Sequence, residues 1–194
     1  MNSPAGHRSA LWLAAAILCL WAAASAPARA AAPTKAQTVT IGYVQLDDDP
    51  RYRIDNSYAG IVLRTLGRPL PGAELGISDA AMMGSALGID FRLVKSSAKT
   101  EADLEGTVSG WIAGQGVHFV ITDLAADDLL KLADAEKGKP VLFMNVSARQ
   151  DSLRGEDCRA NIVHLIPSDS MLTDALAQYL VARNWRDIFV LQGP

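Results

Sequence analysis

Acidic residues stand at two points in this 194-residue chain where an apolar segment gives way to a polar one. Asp47, Asp48 and Asp49 follow the apolar segment 39–46, and Asp123 follows a later apolar segment. If the fold brought these carboxylates together, they could bind Mg²⁺, which takes oxygen ligands. However, a run of acids is more often a solvated loop, and Asp123 has the alternative role of capping a following helix. A magnesium-dependent hydrolase built on these four residues is therefore the least favoured function.

A second polar group follows the next apolar segment of the chain. Asn145, Ser147 and Arg149 offer an amide, a hydroxyl and a guanidinium within one short loop. The planar guanidinium is a fork of donors that suits a carboxylate, and the other two groups can supply neutral hydrogen bonds. These residues predict contacts to a small solute with an acidic group. The alternative is that Arg149 pairs with an acid of its own loop, Asp151 or Glu156.

Enzyme motifs are absent from the sequence. It contains no G-x-S-x-G, no H-E-x-x-H, no phosphate-binding lysine loop, and no G-x-G-x-x-G after the first apolar segment. His118 and His164 each stand alone in an apolar segment, where a histidine is more often a satisfied structural residue than a base or a ligand. We therefore expect no catalytic residues, no cofactor and no metal.

Residues 116–148 predict one strand–helix–strand unit, and the rest of the chain looks like further copies of it. Two continuous apolar runs flank a segment with helical periodicity, as a parallel sheet covered on both faces requires. We expect Thr122 and Asp123 to start the helix, and the Gly- and Pro-containing segment 137–140 to end it. Leu129 lies on the apolar stripe of this helix, so its side chain should pack against the sheet.

The alternation of strands and helices over the whole chain predicts an α/β fold with a doubly wound, mostly parallel sheet. We expect Thr100 to cap one helix and Asn184 to end another in the left-handed conformation. Leu176 lies on the apolar stripe of that last helix and should be buried against the sheet. The expected strands are 39–46, 90–95, 117–121, 141–144, 161–166 and 188–191; two further helices are expected at 57–66 and 73–87, separated by a turn at 67–72.

This architecture also predicts where a ligand would bind. Open α/β sheets bind ligands in the crevice at the carboxyl ends of their strands. The polar residues that follow the third and fourth strands should therefore edge one cleft. The predicted ligand-binding residues are Thr122, Asp123, Asn145, Ser147 and Arg149.

The first 30 residues predict a cleaved secretory signal peptide. A weakly positive start is followed by the apolar run 10–24 and by Ala28-Arg29-Ala30, a small-x-small cleavage pattern. At about 15 residues, the apolar run is shorter than the roughly 20 that span a bilayer. Residues 31–37 then form a polar leader. The mature chain is accordingly expected to lie in the periplasm.

The mature part of the chain, residues 31–194, is mildly acidic and has one cysteine. It carries 16 basic and 21 acidic residues, which argues against a nucleic-acid partner. Cys158 is its only cysteine, because Cys19 belongs to the signal. In an oxidising compartment a lone thiol is either buried and inert or paired outside the chain, and burial is the favoured alternative.

Segments throughout residues 38–194 resemble a known family. The first strand IGYVQL, the central GVHFVITDLAADDLLKLAD and GKPVLFMNVSA, and the later DALAQYLVARNWRDIFVL are similar to type I periplasmic solute-binding proteins of ABC transporters. The class they resemble is the leucine/isoleucine/valine-binding class. Within it, the chain looks most like the branch associated with pyrroloquinoline-quinone-dependent alcohol oxidation.

The resemblance implies a two-lobed receptor, of which residues 38–194 would be the N-terminal lobe, truncated at the first hinge crossing. It implies a small solute that is trapped between the lobes and handed, unmodified, to a permease in the inner membrane. The family commonly has a serine near Ala125 or Ala126 and a threonine near Arg149, and it has a glycine-rich loop where this chain has DDDPRYR. These departures argue against an ordinary branched-chain amino acid as the solute. A periplasmic sensory module of the same fold is the alternative function.

Overall fold

The structure, a computed structural model, describes residues 37–52, the backbone of 57–58 and 61–62, and residues 67–191. These residues belong to one unit that runs from Ala36 to Pro194. The predicted signal peptide and nearly all of the predicted leader lie outside the described residues. No helix in the described part is long and apolar enough to cross a membrane.

A five-stranded parallel sheet forms the centre of the unit. Its strand order is β4–β1–β5–β6–β7, and every pair of neighbours is parallel. A separate two-stranded antiparallel pair joins β2 to β3. This arrangement, with helices on both faces, confirms the predicted doubly wound α/β fold. The strands are β1 (Gln37–Leu46), β2 (Ser57–Tyr58), β3 (Ile61–Val62), β4 (Ile89–Ala98), β5 (Phe119–Asp123), β6 (Leu142–Asn145) and β7 (Ile162–His164).

Four α-helices in the described part connect or follow these strands. The backbone N–H of Asp103 donates to the hydroxyl of Thr100, which confirms the predicted cap. Ser168 caps the last helix in the same way, and Asn184 adopts a positive φ just after that helix, as predicted. The helices are α1 (Leu70–Leu87), α2 (Glu101–Gln115), α3 (Ala126–Ala135) and α4 (Asp169–Ala182), and short 3-10 helices occur at Pro50–Tyr52 and Asp151–Arg154.

One face of the sheet, here called the covered face, is packed by α2 and α3. Val44, Val120 and Phe143 project from it and are fully buried. Leu129 of α3 is also fully buried in this core, as predicted. Gly42 of β1 is required here, because a Cβ atom at that position would lie 2.8 Å from the ring of Trp111 in α2. Strand and helix therefore approach each other more closely than any other residue at position 42 would allow.

The opposite face is covered only in part by the described helices. Helix α1 lies over β4, where its Gly84 meets the ring of Phe91. Across β5, β6 and β7, five apolar side chains on this side remain partly accessible: Phe119 is 42% exposed, Val163 is 37% exposed, and the others are half-buried. This patch is called the open face; it consists of Phe119, Ile121, Leu142, Met144 and Val163.

Four predictions for individual segments are wrong. In 57–66, the described residues belong to β2 and β3 rather than to a helix. The predicted turn at 67–72 is too long, because α1 already begins at Leu70 with a proline in its first turn. Residues 188–191 form no strand and are exposed, and Leu176 is 58% exposed instead of buried. The exposure of Leu176 belongs to the whole helix, because α4 buries none of its residues and its apolar stripe is not packed in the core.

Candidate functional site

The carboxyl ends of β1, β5 and β6 lie next to one another at one edge of the sheet. A pocket of about 400 Å³ opens there, between the loop after β1, the loop after β6 and the start of α4. Its walls combine charged, hydroxyl and amide groups with a few apolar side chains. The polar residues that line it are Arg51, Tyr52, Ser147, Arg149, Gln150 and Asp169.

Asp123 is the central carboxylate beside this pocket, although its side chain is fully buried. Tyr52 donates its phenolic hydrogen to Oδ1 at 2.7 Å, and Tyr43 donates to Oδ2 at 3.4 Å. The guanidinium groups of Arg51 and Arg68 lie 3.4 Å and 3.7 Å from the carboxylate. A buried charge needs such partners, because burial without them is strongly unfavourable.

The predicted role of Asp123 as a helix cap is wrong. Asp123 is the last residue of β5, and the N-cap position of α3 is Ala125, whose side chain makes no capping bond. Strand β5 therefore continues two residues further than the sequence predicted. That extension carries the carboxylate past the apolar core to the edge of the sheet.

Arg51 connects the loop after β1 to the loop after β6. Its Nε atom donates to both carboxylate oxygens of Asp49 at 3.0 Å, and its Nη1 atom donates to the hydroxyl of Ser147 at 3.1 Å. Burial alone would raise the pKa of Asp49, but the hydrogen bonds and charge of Arg51 outweigh it and hold that pKa below its usual value. The pair stays ionised and fixes one wall of the pocket.

Two cations lie close to the ring of Tyr52. The guanidinium carbon of Arg68 is 4.6 Å from the ring centroid, and that of Arg51 is 5.4 Å from it. Burial, followed by the hydrogen bond to Asp123, raises the pKa of Tyr52. Burial also raises the pKa of Tyr43, with the charge of Asp123 as the second cause. Both phenols are therefore protonated at neutral pH and remain donors to Asp123.

Thr122 and Asn145 do not face the pocket. Side chains alternate along a strand, so the neighbours of Asp123 and Met144 point towards the covered face, and both residues are fully buried. The hydroxyl of Thr122 donates to the carbonyl of Met144 at 3.3 Å. Asn145 Oδ1 accepts from the backbone N–H of Ala148 at 2.9 Å, and its Nδ2 donates to the carbonyl of the same residue at 2.7 Å. Asn145 thereby shapes the loop that borders the pocket.

His164 supports Asn145 from the neighbouring strand. Nδ2 of Asn145 donates to Nδ1 of His164 at 2.9 Å, and Nε2 of the ring donates to the carbonyl of Leu153 at 3.2 Å. Burial, and then the charge of Arg154, lowers the pKa of His164, so the ring is neutral near pH 7. The expected structural role of His164 agrees with these contacts. His118 is exposed, and its Nδ1 donates to the carbonyl of Pro140.

Ser147 and Arg149 do line the pocket, and they differ in the number of hydrogen bonds that their side chains make within the protein. Ser147 donates to the carbonyl of Leu124 at 3.1 Å and accepts from Arg51. The side chain of Arg149 is exposed and makes no hydrogen bond or ion pair with any described residue. Asp151, one of its expected partners, accepts from the backbone N–H of Ser170 at 3.2 Å instead. Arg149 thus places a guanidinium at the pocket wall that has no hydrogen-bond or ion-pair partner among the described residues; it is called uncommitted below.

Sequence reasoning missed the residues that organise this site. Tyr43, Arg51, Tyr52 and Arg68 all contact Asp123, and none of them was named as a candidate. The available signal was the segment DDDPRYR directly after the first strand, where the resembling family has glycines. Arg51 and Tyr52 of this segment supply a cation and a hydrogen-bond donor for the buried acid, whereas Arg68 lies outside the segment and had no such signal.

The geometry gives no support to a magnesium site. Asp49 is bound by Arg51, Asp47 accepts from the hydroxyl of Ser97, and Asp123 is held by phenols and guanidinium groups. The described part of the chain holds no group of three or more His, Cys, Asp or Glu side chains placed to hold a metal. Guanidinium groups of Arg51 and Arg68 lie beside the carboxylates of Asp49 and Asp123, where a metal ion would have to bind.

The favoured expectation for Cys158, a buried thiol, is wrong, and the alternative of a partner outside the chain stays a prediction. The residue is exposed and forms no disulfide with a described residue. It lies in the polar loop after the second 3-10 helix, where neighbouring Arg159 pairs with Asp134 at 2.7 Å. The charged neighbours keep this loop at the surface, so the thiol is accessible instead of belonging to the core.

Known structures share this arrangement of strands and helices. A branched-chain amino-acid ABC-transporter ligand-binding protein from Burkholderia xenovorans matches with a TM-score of 0.56 at 16% identity, over 76% of this chain and 37% of that one. An ABC-transporter substrate-binding protein from Desulfitobacterium hafniense, in complex with leucine, matches with a TM-score of 0.54 at 17% identity, over 76% and 39%. The chain shares its fold with type I periplasmic binding proteins.

A further neighbour has a different ligand. A solute-binding protein of an ABC transporter from R. palustris, in complex with 4-hydroxybenzoate, matches with a TM-score of 0.51 at 14% identity, over 76% of this chain and 36% of that one. In each of these comparisons the chain spans less than two fifths of the neighbour's length. No protein-family model and no curated protein sequence matches the chain.

Proposed function

We propose that this chain forms one wall of the solute site of a periplasmic substrate-binding protein, which captures a small solute bearing a carboxylate. The observation that carries the proposal is the uncommitted guanidinium of Arg149 in a pocket at the carboxyl ends of the strands. A guanidinium without a protein partner, beside hydroxyl and amide groups, is suited to an anionic ligand. The shared fold with solute-binding proteins supports the same conclusion.

The solute would reach the pocket after export of the chain. In this proposal residues 1–30 are a cleaved signal peptide, the mature chain lies in the periplasm, and its partner is an ABC-transporter permease in the inner membrane. The opposite wall of the site comes from a second lobe, with residues 38–194 acting as the N-terminal lobe. The resemblance to the branch associated with pyrroloquinoline-quinone-dependent alcohol oxidation adds carboxylates of that metabolism as candidate solutes, to be titrated after the ligands of the structural neighbours. The protein binds its solute and does not change it.

The residues around the pocket divide into contact and positioning groups. Arg149 contacts the carboxylate of the solute, and Ser147 borders it. Asp123 and Arg51 position the loop after β1, because they tie it to β5 and to Ser147. Asn145 and Thr122 act from the covered face: Asn145 holds the loop after β6 in shape, and Thr122 joins β5 to β6.

The test is the binding of carboxylates to a chain extended through a second lobe. Leucine and 4-hydroxybenzoate, the ligands of two structural neighbours, are the first probes in titration calorimetry. Arg149→Ala should weaken binding by about 1.5–3 kcal/mol, the range for a hydrogen bond to a charged group. Arg149→Lys should recover only part of the loss, because an ammonium lacks the planar fork.

Arg186→Ala is the matched control, since Arg186 is exposed and does not line the pocket. It should leave the affinity unchanged. An affinity that Arg149→Ala does not alter would show that Arg149 belongs to its loop and has no contact with the solute. The 194-residue chain alone should bind no probe with micromolar affinity, because one wall leaves the ligand open to water.

A further inference from the structure

The pocket at the carboxyl ends of the strands has a second charged side chain without a partner, the carboxylate of Asp169. This residue lines the pocket at the start of α4 and is exposed. Its carboxylate accepts no hydrogen bond from any described residue and forms no ion pair with one. Asp49 and Asp123, by contrast, are both bound by Arg51. The carboxylate of Asp169 therefore remains available to a ligand.

The first turn of α4 does not use this carboxylate as a cap. Ser168 occupies the N-cap position, and its hydroxyl accepts from the backbone N–H of Met171 at 3.4 Å. Ser170 donates its hydroxyl and its backbone N–H to Asp151, at 2.6 Å and 3.2 Å. The side chains on either side of Asp169 thus cap the helix and tie it to the preceding 3-10 helix. An acid in a first turn also favours a helix through its dipole, but that contribution does not require a position at a pocket wall.

Asp169 is held beside Arg149, but their charged groups do not pair. The backbone N–H of Asp169 donates to the carbonyl of Arg149 at 3.1 Å. Both side chains line the pocket, and no ion pair joins them. If they were paired, each would neutralise the other and neither would be free for a ligand. As they stand, the pocket wall carries one uncommitted cation and one uncommitted anion, which suits a solute that has both an acceptor and a donor of hydrogen bonds.

We propose that Asp169 determines the specificity of this site, by accepting a hydrogen bond from a hydroxyl or ammonium group of a solute whose carboxylate contacts Arg149. The inference rests on the proposed function. A solute without such a donor leaves the carboxylate of Asp169 unpaired in the closed site, which lowers its affinity. A solute with a second carboxylate meets a like charge there. The solutes of this site are thereby narrowed from carboxylates in general to monocarboxylates that carry a hydrogen-bond donor.

The test compares ligands that differ in one group, by titration calorimetry with the chain extended through a second lobe. The matched pairs are 4-hydroxybenzoate with benzoate and leucine with isocaproate, each second member lacking the donor of the first. In at least one pair, the unmodified protein should bind the donor-bearing member at least about tenfold more tightly, as expected for a hydrogen bond to a charged group. The pair that shows the preference identifies the donor as hydroxyl or ammonium. Terephthalate, with a carboxylate in place of the hydroxyl, should bind more weakly than benzoate.

Three variants show whether Asp169 causes this preference. Asp169→Ala removes the acceptor and should reduce the preference to less than about threefold. Asp169→Asn removes only the charge and should improve the binding of terephthalate by at least about tenfold. Asp174→Ala is the matched control, since Asp174 is exposed on the same helix and does not line the pocket; it should leave every affinity unchanged.

The outcomes separate this inference from the function on which it rests. If none of the probes binds the unmodified protein, the proposed function and the specificity of Asp169 are both overturned. If carboxylates bind through Arg149 but neither pair shows a preference, only the role of Asp169 is overturned. A preference that persists in Asp169→Ala would overturn that role as well, and it would leave the contact of Arg149 with the solute in place.

Discussion

The two faces of the sheet are built by the same strands, but they differ in how completely helices cover them and in which polar groups they carry. The covered face is closed by α2 and α3, and its polar residues, Thr122 and Asn145, are spent on hydrogen bonds within the fold. The opposite side carries the charged cluster around Asp123 at one end and the apolar open face below it. Adjacent residues of one strand thus contribute separately to the packed core and to the proposed binding site, because side chains alternate between the faces.

Removing the carboxylate of Asp123 should be the most damaging change on the binding side. Asp123→Ala leaves the hydroxyl groups of Tyr43 and Tyr52 without their acceptor and two guanidinium groups with less compensation. We expect a loss of about 3–5 kcal/mol in the free energy of unfolding, the range for breaking a buried pair. Urea unfolding measures it. Asp123→Asn, which still accepts a hydrogen bond, should lose less, and a loss below about 1 kcal/mol in Asp123→Ala would show that the cluster does not hold the fold.

Truncating one leucine in the core of the covered face and one on α4 tests the comparison directly. Leu129 is fully buried, so Leu129→Ala should cost about 2–5 kcal/mol through lost burial and the cavity left behind. Leu176→Ala is the matched change on an exposed stripe and should cost less than about 0.5 kcal/mol. Both are measured by urea unfolding. Similar losses in the two variants would mean that α4 is packed against its own sheet.

The close packing of the covered face can be probed at a glycine. Gly42→Ala places a methyl group against the ring of Trp111 and should destabilise the fold by about 1–3 kcal/mol, as overpacking does. Gly110→Ala in α2 meets no atom within 4 Å and should instead stabilise by about 0.5–1 kcal/mol, because alanine favours a helix. The two changes are chemically identical, so their opposite signs in thermal or urea unfolding would isolate the effect of the close approach. A neutral Gly42→Ala would mean that Trp111 can shift freely.

The smallest expected effect is a pH dependence that comes from the covered face. The folded pKa of His164 lies below its usual value of 6.5, so the folded state disfavours the protonated ring. The unfolded chain then binds more protons as the pH falls below 6.5, and stability should decrease from that point down to the folded pKa. His164→Gln should lack this component, whereas His118→Gln should keep it. Stability curves of equal slope for the two variants between pH 7 and pH 5 would contradict the assignment.

Most strands of the sheet could be predicted from the sequence, but only some of the residues around the pocket could. Strands such as β1 and β4 were predicted within a few residues, since continuous apolar runs and local caps such as Thr100 are encoded in neighbouring residues. Arg149 and Ser147, which were expected to edge a cleft because they follow a strand end directly, do line the pocket; their contact with a solute stays a prediction. The partners of Asp123 were not foreseeable in this way. Tyr43 and Tyr52 approach it only through the pairing of β1 with β5.

Two further errors have different physical causes. Thr122 and Asn145 were assigned to the cleft although the alternation of side chains, read outward from buried Val120 and Phe143, directs them to the covered face. The alternation was visible in the sequence and would have corrected the assignment. The exposure of Leu176 could not be predicted in this way. An apolar stripe indicates that a helix packs against some surface, but it does not identify that surface.

The position of β1 in the sheet has a consequence for the order in which the chain can fold. β1 comes first of the described strands in the chain but lies inside the sheet, where Ile41 pairs with Leu93 on one side and with Phe119 on the other. Both partners are distant in sequence, and closing such long loops costs entropy before any contact forms. Folding should therefore be slow, and β1 can gain its second neighbour only after residues beyond Phe119 are available. Once it is complete, the amide hydrogens of β1 should be among the last to exchange with solvent, since every neighbouring strand must separate to release them.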